Sequence, residues 1–259
     1  MTDLATELAH PRGRYGVDGD YSVIPAPVVL AGYLLLCVAT TVFAGLWLST
    51  GRTAIGMGAA VVAAALIIAG FGIRRFSRKG KFEVWARLLS GLGLRGDERV
   101  LDLGCGRGAV LLAAAKLIPR GRAVGVDIWR ADQTGNSMQA TLANADAEGV
   151  ADRVELHTRD MTDLEFPGDS VDLVVSSLAI HNLPGNTARR AAIAEAVRVL
   201  KPGGRVVLAD IGFTRRYAAW LRQCGMVDVE RRSLGWRAWW GLPLIRTHVV
   251  TAAKPLPMQ

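Results

Sequence analysis

Apolar positions divide this chain into two regimes. From Pro27 to Ser49, and again from Thr53 to Ile73, no side chain carries a charge. Each run reaches the roughly 20 residues a helix needs to cross about 30 Å of hydrocarbon. The polar turn Ser49-Thr50-Gly51-Arg52 between them makes the two helices antiparallel neighbours. After Lys81 the pattern changes. Val84, Leu88, Leu89 and Leu92 have the spacing of an amphipathic helix over 82–94, ended by Gly93 or Gly96. Short apolar runs at 99–103, 123–127, 154–157, 171–176 and 205–209 predict five strands, with helices over 109–117, 136–148 and 188–199. A helix over 217–224 and two last strands, 227–230 and 247–253, complete the chain, the final one free to run antiparallel at an edge. Such alternation predicts βαβ units and a doubly wound, mainly parallel α/β sheet covered on both faces.

Four segments follow: an N-terminal segment 1–26, a transmembrane hairpin 27–73, a basic juxtamembrane segment with its amphipathic helix 74–94, and an α/β domain 95–259. About 26 mostly polar residues precede the first apolar run and no basic stretch abuts it, which disfavours a cleavable signal peptide. The Gly-rich opening is expected to be disordered or to fold over the site as a lid.

Charge sharpens this division. The net charge is +8 and the pI about 9.9, but the basic residues concentrate in two places. Arg74, Arg75, Arg78, Lys79 and Lys81 follow the second apolar run, and residues 215–246 hold seven arginines beside Trp220, Trp236, Trp239 and Trp240. Cations beside an apolar run and interleaved with indoles favour a lipid surface over nucleic acid. The positive-inside bias then places both termini and the α/β domain on the cytoplasmic side of a cell (inner) membrane. Gly56, Ala60 and Ala64 recur at helical spacing, which suits close packing within the hairpin or a homodimer through it. Cys37, Cys105 and Cys224 lie far apart, so neither a zinc site nor a disulfide framework is expected.

The candidate chemistry lies where strands meet helices. Gly104-Cys-Gly-Arg-Gly108, with Ala109, also fits the dinucleotide pattern G-x-G-x-x-A, so a nicotinamide-dependent oxidoreductase is one reading. Asp102 argues against it, because a carboxylate at the end of the first strand suits a cationic ligand better than a pyrophosphate. Asp127 ends the second strand, where it is able to accept ribose hydroxyls in either case. Arg159-Asp160-Met161 offers a carboxylate and a polarizable side chain to an adenine.

In order and spacing, Val100-Leu-Asp-Leu-Gly-Cys-Gly-Arg-Gly108, Gly125-Val-Asp127, Arg159-Asp-Met161, Asp172-Leu-Val-Val-Ser176 and Arg198-Val-Leu-Lys-Pro-Gly-Gly204 resemble the motifs of class I, Rossmann-like methyltransferases that use S-adenosylmethionine (SAM). The resemblance covers about residues 95–253. It implies that SAM is the cofactor, that Asp102 and Gly104 hold its methionine end, and that Gly106 and Gly108 admit its nucleoside. Asp127 would bind ribose, Asp160 and Met161 adenine, and Ile128 or Trp129 the other adenine face. Ser176, ending the fourth strand, would join the cofactor site. Lys201-Pro-Gly-Gly204 would be a turn leading into the fifth strand.

Methyl transfer from a sulfonium needs alignment and exclusion of water more than catalytic machinery. A base is required only if the acceptor must lose a proton. His181 is the candidate, in the loop that faces the transferring methyl in the family; capping that loop is its other role. The loop lacks the Asn-Pro-Pro-Tyr type of motif seen in many DNA and protein amide N-methyltransferases, and no carboxylates are spaced for a catechol-type magnesium site. The hairpin and the Trp/Arg tract point to a lipophilic acceptor entering from the membrane: a quinone or phenol, a lipid headgroup, or a hydrophobic xenobiotic. A catalytically silent SAM-binding membrane scaffold is the remaining alternative.

Overall fold

The computed structural model describes residues 4–19, 23–239, 241 and 245–257. A short helix α1 (Leu4–Ala9) precedes two long apolar helices, α2 (Ala26–Ser49) and α3 (Thr53–Arg75). A π turn at Phe76–Gly80 joins α3 to α4 (Lys81–Ser90) without a break, giving one helical rod over Thr53–Ser90. The polar turn forces α2 and α3 together. Gly56 packs on Leu48 and Gly70 on the Tyr33 ring, whose hydroxyl donates to the Leu66 carbonyl. The facing stripe is Gly56, Ala63 and Gly70, so of the expected small-residue triad only Gly56 is buried; Ala60 and Ala64 point outward. Both helices are long and apolar enough to cross a membrane, and only 6% and 11% of their apolar windows are buried. Leu30, Leu35, Val61 and Phe71 are among the side chains that stand exposed.

The rest is a seven-stranded sheet of β1 (Arg99–Leu103), β2 (Arg122–Asp127), β3 (Val154–Thr158), β4 (Val171–Ser177), β5 (Leu200–Asp210), β6 (Val227–Ser233) and β7 (His248–Ala253), in the order β3-β2-β1-β4-β5-β7-β6. Helices α5 (Ala109–Leu117), α6 (Met138–Glu148), α7 (Gly185–Val199) and α8 (Thr214–Gln223) cover its faces. The first five strands are parallel. The last strand is antiparallel as expected, but it lies between β5 and β6, so β6 forms the edge. Val100, Leu101 and Leu103 on β1 and Leu173 and Val174 on β4 are almost fully buried, as strands covered on both faces require.

Two expectations need correction. The turn expected at Lys201-Pro-Gly-Gly204 is a bulge inside β5: the register steps from Leu200 opposite Val171 to Arg205 opposite Leu173. Lys201 Nζ, 2.9 Å from Asp172 Oδ2, pins it there. The N-terminal segment is also ordered over its described part. Leu8 and Tyr15 join the hydrophobic cluster of α4 and α5. Glu148 Oε1 accepts the Arg12 and Gly13 amides and the Tyr15 hydroxyl, each at 2.8 Å. Buried Glu148 and Lys116, 2.7 Å apart, anchor this strap to the sheet's helices.

Candidate active site

A cleft opens at the carboxyl ends of β1, β2 and β4, where parallel strands leave a crevice at the switch in strand order. It has two adjoining lobes of about 40 and 70 Å³ that share Gly104, Asp127, Asp132 and Ala179. The turn after β1 is built from glycines for a steric reason. Gly104 has φ +71°, and a Cβ there would strike the Ala179 methyl and come within 3.2 Å of Met161 Cε. Gly106, at φ +51°, sits against Gln133 Oε1. Gly108 also has positive φ, but it faces Leu112 and Thr141 at the start of α5, so its task is helix packing and it lines neither lobe.

The carboxylates define the electrostatics. Asp102 is 1% exposed, and its Oδ1 has no partner among the described residues. Burial lifts its carboxyl from the usual carboxylate range to about 8. A neutral buried acid aimed into a cleft is primed to ionise beside a cation. Asp127 is also buried, which raises its pKa; its two oxygens accept the amides of Gly106 at 2.8 Å and Trp129 at 2.6 Å, tying the glycine turn to the end of β2. Burial, then Asp127, push Asp132 up to about 6. Lys81 supplies a cation to this wall, with Nζ 3.0 Å from Asp18 Oδ1.

Most of the expected residues converge. Asp102, Gly104, Gly106, Asp127, Ile128, Asp160 and Met161 all line the cleft. Two others do not. Trp129 packs against the core and donates its Nε1 proton to Thr158 Oγ1 at 2.7 Å, leaving the cleft to Ile128. Ser176 is buried, and its hydroxyl donates to the Leu103 carbonyl at 2.8 Å, so it clamps β4 to β1. The next residue, Ser177, lines the cleft and accepts a 2.9 Å hydrogen bond from Trp85 Nε1 on α4.

His181 stands just beyond the cleft, in the turn after β4. Its Nδ1 lies 2.7 Å from Asp210 Oδ1 at the end of β5, and its amide donates to Asp210 Oδ2 at 3.1 Å. The Tyr217 hydroxyl also donates to Oδ2, at 3.2 Å, and Arg189 grips the His181 carbonyl at 3.0 Å. The nearby carboxylate favours a proton on Nδ1, which leaves Nε2 as an acceptor.

Sequence reasoning missed Asp18, Lys81, Asp132 and Gln133. Lys81 was readable, since it shares a helix face with Val84, Trp85 and Leu88. Asp18 was not: it reaches the site through one antiparallel bridge to Gln133, and Gln133 Nε2 donates to its carboxylate at 2.9 Å. Trp240, part of the Trp/Arg tract, lies outside the described residues.

The fold agrees with comparisons to known proteins. A family model described as a methyltransferase domain matches residues 100–204. The chain is 28% identical over 179 residues to a demethylmenaquinone methyltransferase of Symbiobacterium thermophilum, covering 68% of this chain and 63% of that one. It is 34% identical over 126 residues to a 27-O-demethylrifamycin SV methyltransferase of Amycolatopsis mediterranei, covering 48% and 42%. Among solved structures it is similar to geranyl diphosphate C-methyltransferase from Streptomyces coelicolor A3(2), at a TM-score of 0.52 and 18% identity, covering 66% and 74%. The match spans 41 to 63% of the length of such curated relatives. Residues 100–204 match a methyltransferase domain, and the sheet around them has the Rossmann-like fold of a solved SAM-dependent methyltransferase from Aquifex aeolicus.

Proposed function

We propose that this protein is a membrane-anchored SAM-dependent methyltransferase whose acceptor is a lipophilic small molecule or lipid reached at the cytoplasmic face. The observation that carries this reading is the unbroken helix Thr53–Ser90. Its first half is apolar and exposed, and its last turns supply Lys81 to the wall of the cleft and Trp85 as the hydrogen-bond donor to the lining Ser177. A buried soluble hairpin would hide the side chains that stand exposed here. We accordingly draw the catalytic unit to include residues 4–19 and α4, with α2 and α3 as the anchor. Relatives named for demethylmenaquinone and demethylrifamycin act on acceptors of the same broad kind, which supports the class of acceptor.

The residues fit SAM on two counts: an orphaned buried carboxylate at Asp102, and a cradle at Gly104 that any Cβ would fill. When bound, SAM supplies an activated methyl on a cationic sulfur. The protein's own residues hold and align. Asp102 takes the methionine ammonium, Asp127 the ribose hydroxyls, and Ile128, Asp160 and Met161 the adenine. The carboxylate-rich wall disfavours a dinucleotide's pyrophosphate. The sheet disfavours it too, since β7 runs antiparallel between β5 and β6 where dinucleotide folds continue 3-2-1-4-5-6. His181, held by Asp210, removes the acceptor proton.

The lobes are far below the roughly 300 Å³ of a small-molecule site, and the strap residue Asp18 bridges Lys81 and Gln133 across the larger one. We assign the strap as the lid that lifts for the donor. The test is incubation of a membrane extract with isotopically labelled SAM and the full chain. Label in an organic-extractable product, lost with Asp127→Ala, is the expected result. Label confined to protein or nucleic acid would overturn the reading.

A further inference from the structure

Beside the donor cleft, past His181, an open groove of about 400 Å³ runs between the β5–α8 loop and the β6–β7 end of the sheet. Its walls carry Arg215, Arg216, Arg231, Arg246 and His248, and no carboxylate is among the described residues that line it. Two of these arginines bond to neutral side chains: Arg231 Nε donates to Thr214 Oγ1 at 2.9 Å, and Arg216 to Asn186 Oδ1. Like charges face each other across the groove. Burial and then Arg215 pull the Arg231 guanidinium down, and burial and then Arg231 pull the His248 imidazolium down. The first turn of the ten-residue helix α8 opens on the same groove: its N-cap, Phe213, offers no side-chain cap, and its carbonyl takes the Arg216 and Tyr217 amides, which leaves those of Thr214 and Arg215 toward the groove. Guanidinium forks and uncapped helix amides are the donors that hold phosphate oxygens. Four guanidinium groups also exceed the charge of any single carboxylate.

We propose that this groove is an anion subsite that binds the phosphate or diphosphate of an amphiphilic acceptor. The inference rests on the methyltransferase reading for its orientation and names the acceptor's polar end. Two placements support it. Ile211 and Gly212, on the groove's floor, directly follow Asp210, and a Cβ on Gly212 would lie 3.8 Å from His181 Cβ, so a molecule anchored in the groove reaches the base without crossing the strap. The β6–β7 connection that supplies Arg246 also touches the anchor helix. A Cβ on Gly72 would strike the Gly241 carbonyl, one on Gly80 would strike the Arg237 carbonyl, and Arg75 stacks on Trp236. The groove therefore sits beside the emergence of the anchor, where a phosphate at the end of a lipid tail lies.

The experiment is calorimetric titration of the full chain in neutral detergent micelles with dioctanoyl phosphatidic acid, dioctanoylglycerol and inorganic phosphate, with SAM titrated on the same preparations. We expect the phosphate-bearing lipid to bind and the uncharged lipid not to. Arg215→Gln and Arg231→Gln should each weaken binding by about tenfold or more, the loss typical of one charge-assisted contact. Arg215→Lys should restore part of the affinity, and Arg232→Gln, an exposed arginine outside the groove, should leave it intact. Binding of phosphatidic acid well above inorganic phosphate identifies a lipid headgroup; equal binding identifies a free phosphate group as the ligand. Failure of wild type to bind either, or undiminished binding by both glutamine variants, would overturn the proposal. SAM affinity should be unchanged in every arginine variant. If wild type binds phosphate but no SAM, the donor reading fails and the anion site stands.

Discussion

Asp102 offers a quantitative test of the cofactor assignment. Its carboxyl sits at about 8 because burial disfavours the charged form. A rise of roughly four pH units corresponds to on the order of 5 kcal/mol between neutral and ionised states. With the folded pKa raised, Asp102 contributes stability in full below the ordinary carboxylate pKa of about 4, and that contribution is lost as pH climbs to about 8. A cationic donor requires the ionised form, which is about 1% populated at pH 6 and about half populated at pH 8. The donor's own α-amino group, ordinarily titrating near 8, loses its proton above that point. SAM affinity should therefore peak near pH 8, roughly 20-fold tighter than at pH 6. Asp102→Asn removes the titration. It should abolish that rise, weaken SAM binding at pH 8 by about tenfold or more, and raise the thermal midpoint of the ligand-free protein at the same pH. Calorimetry from pH 6 to 9 and parallel thermal unfolding read both effects. A SAM affinity independent of pH in wild type, or unchanged in Asp102→Asn, would refute the reasoning.

Other consequences follow from the same geometry. Asp210→Asn should lower methyl transfer by about 10² to 10⁴, the usual contribution of a positioned base, while SAM affinity stays at wild type; loss of SAM binding in equilibrium dialysis would assign Asp210 a structural role instead. Gly104→Ala places a methyl against Ala179 at φ +71°, so SAM binding should be lost while the circular dichroism spectrum is retained. Removing Asp18 alone leaves buried Lys81 unpaired and should cost about 3 to 5 kcal/mol, whereas Asp18→Asn with Lys81→Met should recover much of that and speed donor exchange in stopped-flow measurements. Deleting residues 1–78 removes Leu8, Tyr15 and Phe76 from the core; the fragment should bind SAM weakly and unfold at a lower temperature than the full chain.

Much of the sheet was legible because buried parallel strands read as uninterrupted apolar runs. Leu101, Val124 and Val174 sit in such runs, and each strand start fell within a residue or so except that of β5. There Lys201-Pro-Gly-Gly204 has turn chemistry, and only its pairing with Asp172 on the neighbouring strand makes it a bulge. The position of β7 was not legible, since an alternating run of apolar residues states a strand's faces and not its neighbours. Within the site, residues whose task is local were readable: Gly104 needs its left-handed backbone, and Asp102 and Asp127 end their strands. Those that depend on long-range partners were not. Asp18 lies 115 positions before its partner Gln133. Ser176 and Ser177 look alike in sequence, yet the alternation of a strand sends the first to Leu103 and the second into the cleft. The basic run after the second apolar segment read as a uniform lipid-facing patch, but helical periodicity separates Lys81, buried in the site, from exposed Arg74 and Arg78.

On the proposed reading, the cleft at Asp102 and Asp127 holds SAM. The most direct test is titration of the full chain, in neutral micelles at pH 8, with SAM and with NAD, repeated on Asp127→Ala and His181→Ala. SAM should bind to wild type and to His181→Ala, Asp127→Ala should not bind it, and NAD should bind to none. Binding of NAD in place of SAM, or SAM affinity unchanged in Asp127→Ala, would contradict it.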